Sequence, residues 1–98
     1  MNYVVIARER ITPTASIGFT AANIPTTQVK TLYARLQVVA GQKVNYTIDG
    51  TAATTSVGFI LPLYSVEEVW GADALSNFRM IDNGTACTVE VVYMGTGD

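Results

Sequence analysis

Val, Ile and Thr supply 12, 7 and 13 of the 98 residues, about a third of the chain. Branching at Cβ stiffens χ1 and suits a pleated surface better than a helix. Gly and Pro recur at short intervals, the punctuation of a sandwich or barrel. This pattern predicts strands near 3–11, 14–19, 29–39, 43–49, 57–63, 66–70, 76–82 and 86–94. No window carries a 3.6-residue apolar stripe, and the stretch from Val66 to Leu75 is the one place left for a helical turn. The expected fold is therefore all-β: an antiparallel β-sandwich, jelly-roll-like or immunoglobulin-like, forming a single domain over 1–98.

Register sharpens two of these elements, because a one-residue slip exchanges the faces of a strand. Asn83-Gly84 is the favoured dipeptide of a type I′ turn. A two-residue loop there sets Met80 opposite Cys87 and Phe78 opposite Val89 on an apolar face. Arg79 then meets Thr88, and Asn77 meets Glu90, on a polar one. A hairpin between 76–82 and 86–94 is predicted. The second turn lies at Gly41. A loop of Gly41-Gln42 mixes the faces, whereas Ala40-Gly41-Gln42 sets Val38 against Val44 and Leu36 against Tyr46. Either the longer loop is used or the chain crosses to the opposite sheet.

Ser16-Ile17-Gly18-Phe19 is echoed forty positions later by Ser56-Val57-Gly58-Phe59. Two copies are too few for a solenoid; corners in two halves of a sandwich, or chance, would produce the echo.

Composition excludes much chemistry. Charged residues make up 14% of the chain and the net charge is −2, against about 25% charged in a typical soluble domain. The scattered Lys and Arg leave no footprint for nucleic acid or an anionic membrane. Histidine is absent and Cys87 stands alone. Disulfide scaffolds, Cys/His zinc sites and triads with a histidine base are thereby excluded. The first ten residues do not read as a signal peptide, and no apolar run approaches the ~20 residues of a membrane span. The lone cysteine fits a reducing compartment, and the sequons Asn45-Tyr46-Thr47 and Asn83-Gly84-Thr85 read as coincidence in a Thr-rich chain.

Each potential site has a plainer explanation. Glu67-Glu68 is the one adjacent carboxylate pair, yet neighbours on a strand point to opposite faces, whereas a glycosidase needs two carboxylates converging across a cleft. Asp49-Gly50 and Asp82-Asn83-Gly84 lack the ligand spacing of a calcium loop and read as turns. Cys87, on an apolar face, reads as a small hydrophobe. Gly95-Thr96-Gly97 is too short a fragment to stand as a phosphate loop. No catalytic residue, metal ligand or cofactor is expected. Among the aromatics, Tyr46 and Phe78 fall on core faces, and Tyr33 shares a face with Arg35 and Gln37. Tyr64 and Trp70 flank an irregular stretch, where they would serve as core, as interface anchors or as a sugar platform.

The run from Asn45 through Tyr46-Thr47-Ile48-Asp49-Gly50-Thr51-Ala52 to Val57-Gly58-Phe59 carries a resemblance, together with Asn77-Phe78-Arg79 and the closing Thr88–Tyr93. Over about 44–93 the chain resembles small β-rich structural proteins of tailed bacteriophages. It departs from that pattern at Ala53, where Pro is expected, and at Phe59, often His. The resemblance implies a non-enzymatic virion protein, made in the host cytoplasm. Its role would be capsid decoration or cement, or a head, neck or tail accessory. Its partners would be copies of itself and other virion proteins such as the major capsid protein, with neither nucleic acid nor membrane bound. A carbohydrate-binding or host-attachment module using Tyr64 and Trp70 is the alternative.

A chain this poor in charge must keep apolar groups on its surface, and in a stable protein these gather in interfaces. Strands 3–11 and 86–94 are the expected exposed edges, since Val4, Ile6, Val92 and Met94 lack the charges and prolines that discourage pairing. The expected contact residues are Val4, Ile6, Tyr33, Tyr64, Trp70, Val92 and Met94.

Overall fold

The computed structural model describes residues 3–25 and 30–96. Among these residues are seven strands: β1 (Tyr3–Ile11), β2 (Thr31–Ala40), β3 (Lys43–Thr47), β4 (Phe59–Pro62), β5 (Val66–Trp70), β6 (Arg79–Asp82) and β7 (Thr88–Thr96). A short helix, α1 (Ala72–Asn77), follows β5, and a 3₁₀ turn spans Ala21–Asn23. One antiparallel sheet runs β1-β7-β2-β5 and the other β4-β3-β6. Their facing sides make the core: Ala34, Leu36, Val38, Val69, Val89, Val91 and Tyr93 from the larger sheet meet Val44, Tyr46, Leu61 and Met80 from the smaller, with Phe78 just ahead of β6. Four strands against three is the division of an immunoglobulin constant-type sandwich, and the second strand pairs with the fifth and the third with the sixth as there. Here, however, the last strand lies between the first and second.

The expected hairpin at Asn83-Gly84 is not formed. β6 belongs to the smaller sheet and β7 to the larger, so residues 83–87 carry the chain across the sandwich. A type I′ turn needs positive φ at both central residues; Gly84 has φ +87, but Asn83 does not. Alternation alone could not separate the two outcomes. A hairpin and a corner both send Phe78, Met80, Cys87 and Val89 inward, and all four are buried. At Gly41 the crossing is the arrangement adopted: Val38 and Val44 meet through the core instead of along a ladder. The two crossings pack together, since a Cβ at Gly41 would lie 2.5 Å from the Ala86 carbonyl oxygen and 2.7 Å from the Cys87 sulfur.

Two other elements differ from expectation. Residues 14–19 form no named strand, but they run along β6, where Ile17 pairs with Met80 and the Asp82 amide donates to the Pro13 carbonyl (2.8 Å). The strand expected over 76–82 begins only at Arg79, because α1 occupies its start. Ala72 and Ala74 favour that helix, Asp73 suits its first turn, and Leu75 is its one buried residue. The strand expected over 29–39 begins at a residue outside those described, and Gly97 lies outside them too.

The Ser-x-Gly-Phe echo has a geometric counterpart on opposite edges of one sheet, not in two halves of the sandwich. A Cβ at Gly18 would stand 2.6 Å from the Phe78 carbonyl oxygen, and one at Gly58 2.7 Å from that of Tyr46. The phenylalanines that follow flank the same pair: Phe19 stacks on Phe78 (4.2 Å), Phe59 leans on Tyr46 (5.6 Å), and Tyr46 and Phe78 are 5.7 Å apart. Four rings thus form one row across the smaller sheet.

Candidate functional site

The strand register writes the outer face of the larger sheet as rows. Arg10, Glu90, Gln37 and Val66 form one; Arg8, Val92, Arg35 and Glu68 the next; Val5, Met94, Tyr33 and Trp70 a third. Glu90 accepts from Arg10 at 2.6 Å and lies 3.6 Å from Arg8, while Glu68 lies 3.9 Å from Arg35. One end of the face is therefore charged. The other is aromatic: Tyr33 stacks on Trp70 at 4.0 Å, and the Tyr3 ring stands edge-on to both, at 5.7 and 6.1 Å. Trp70 remains 50% exposed, and Val5 and Tyr3 are also exposed. The indole N–H of Trp70 donates to Glu68 (3.2 Å), which orients the ring along its strand.

Of the residues expected at contacts, Tyr33, Trp70, Val92 and Met94 share this face. Val92 and Met94 do so from β7, which is central and paired on both sides; the expected edge at 86–94 is not one. The chain's last strand was open to that error because sequence shows its alternation but not its neighbours. β1 is an edge as expected, with Val4 exposed on its other face, but Ile6 sits at a bulge and packs partly into the core. Tyr64 is apart from the rest. It is 67% exposed, holds φ +68, and lies at the far end of β5 from Trp70. The Gln37 side-chain amide fixes it by donating to its carbonyl (2.8 Å). A single sugar platform of Tyr64 and Trp70 is thus not assembled.

A second apolar area opens between the free edges of β4 and β5. A groove of about 310 Å³ is lined by Tyr46, Ile48, Phe59, Glu67, Trp70 and Ala74, among others. It adjoins another beside the 48–58 loop, with Ile48 and Phe59 shared by both. Phe59 is 63% exposed. Ile48, Val57 and Phe59 are not among the expected contact residues; the signal that marks them is the apolar run around Gly58 that leads into the short edge strand β4.

No protein-family model, curated protein or solved structure matches this chain.

The carboxylates of Glu9, Asp49, Glu67, Glu68 and Asp82 each accept a hydrogen bond within the fold. Glu67 and Glu68 point to opposite faces, as the strand period requires. Glu67 accepts from the Tyr46 hydroxyl (2.6 Å) and Glu68 from Trp70. Burial, and then the Glu67 carboxylate, push the Tyr46 hydroxyl well above its ordinary value. Burial would raise Glu9, but hydrogen bonds from Tyr93, Thr20 and Asn23 outweigh it and hold its carboxyl below the usual value. Asp49 accepts from the Thr51 amide and Asp82 from that of Gly84, so both acidic loops are Asx-type turns. Cys87 is buried and donates weakly to the carbonyls of Lys43 and Thr85. The sequon residues Asn45 and Asn83 bond to each other (2.7 Å).

Proposed function

We propose that this chain is a non-enzymatic structural protein of a tailed-phage virion, acting through repeated contacts with neighbouring subunits. Decoration or cementing of the head is the first role, and a head, neck or tail accessory the second. The observation that carries the reading is the aromatic end of the larger sheet. Tyr3, Val5, Tyr33, Trp70 and Met94 form a contiguous apolar area on one rigid face, beside the open edge of β1. Ring pairs held in place by packing lose little entropy on docking, which suits them as anchors. The phage-like run over 44–93 supports the virion setting. On a lattice, many such weak contacts act together, and multiplicity supplies the holding strength that one contact lacks.

The test is co-sedimentation with purified particles or capsids of the phage that encodes the chain. The protein should sediment with them, and Tyr33→Ala and Trp70→Ala should weaken that at least about tenfold while leaving the circular dichroism spectrum intact. Absence of the chain from purified particles, with no binding to capsids or tails, overturns the reading.

A further inference from the structure

We infer that copies of this chain join head to tail through their strand edges, β5 of one pairing antiparallel with β1 of the next. The inference rests on the preceding reading only in taking the molecule to work in contact with other chains. β1 and β5 are the two open edges of the larger sheet and run in opposite directions. A second copy brought alongside in the same orientation therefore meets β5 with an antiparallel strand. Among the described residues, no backbone hydrogen bond beyond the sheet ladders engages 3–10 or 66–70. At the β5 edge the Glu68 amide donates to the Glu67 carboxylate (3.0 Å), a local substitute that an incoming strand can replace. Amides alternate sides along a strand. Carrying that alternation along the Glu68–Arg35–Val92–Arg8 row turns the backbone groups of Glu68 to one open edge and those of Arg8 to the other. The two edges present matching ladders.

Continuing the rows sets the register. Glu68 falls opposite Arg8 of the next copy, Val66 opposite its Arg10, and Trp70 opposite its Val5, with the bulge between Val5 and Ala7 bringing Val5 into line. The charges agree with this. On the outer face Arg8 and Arg10 share one carboxylate, Glu90, leaving the β1 side of that face an excess of positive charge. On the same face the β5 side presents Glu68, 3.9 Å from Arg35, as the carboxylate that this register sets against Arg8. Symmetric pairings are disfavoured: two β5 edges centred on Glu68 set it against its own copy, and two β1 edges bring their arginines together. Such a head-to-tail contact is heterologous, so it closes into a ring or runs on as a filament.

A charge-swap mixing experiment tests this. Light scattering after size exclusion should show the native chain above monomer mass, and Arg8→Glu and Glu68→Arg each reduced to monomer, at least about tenfold weaker in association. Both positions are exposed, and circular dichroism should report a native fold. Mixing the two variants restores opposite charges at every joint and should re-form the larger species. Variants that associate like the native chain, or a mixture that stays monomeric, overturn the inference. So does a native chain that is monomeric at all concentrations; if it still sediments with particles the virion reading survives, and if it does not, both fall.

Discussion

Close approach decides which single residues this fold cannot exchange. Gly18 has ordinary φ, yet its missing Cβ leaves room for the Phe78 carbonyl oxygen 2.6 Å away. Gly18→Ala should therefore lower stability by about 1–3 kcal/mol in urea unfolding. Gly84 has open space around it but φ +87, so Gly84→Ala should cost only about 1 kcal/mol, the left-handed penalty alone. Glu9 is the polar counterpart. Its carboxylate gathers Tyr93, Thr20 and Asn23, and its folded value lies below the unfolded one. That stabilisation is present above the unfolded value and is lost as pH falls through the folded one. Glu9→Gln should destabilise by about 1–3 kcal/mol at neutral pH, by weakening the acceptors that face the buried Tyr93 hydroxyl. The difference should shrink in denaturation curves taken under acid conditions.

Among the elements, β1, β2, β3, β4, β5 and β7 fall close to where branched residues and alternation put them. Val66–Trp70 coincides with its expected strand because Gly71 and the turn at Tyr64–Ser65 bound it. What alternation cannot report is the partner. The face of β6 that carries Met80, and that of β7 that carries Val89, are apolar whether the strands pair with each other or lie in separate layers. The crossings are where this choice is enforced, so Gly41 is the element-scale test. With φ +94 and backbone 2.5 Å from a would-be Cβ, Gly41→Ala should cost about 3 kcal/mol or more, read from the thermal midpoint. The end of α1 was equally hidden, because one buried leucine in six residues leaves no helical period to detect.

At the scale of the molecule, the larger sheet separates a charged end from an aromatic one. Trp70, the one tryptophan of the chain, stands half-exposed on β5, so it reports on that edge directly. If copies join there, its emission should shift to shorter wavelength as concentration rises. Added salt should reverse the shift, since exposed charges are screened within about 10 Å at 0.1 M.

Fold class, core faces and the turn at each acidic loop were legible in the residues, because each depends on period or local geometry. The neighbour of each strand was not. It depends on contacts between residues far apart in the chain, whose free energies appear only when two layers close on each other. The same closure placed β7 in the middle of its sheet, split Tyr64 from Trp70, and gathered Tyr3, Tyr33 and Trp70 from three strands into one surface.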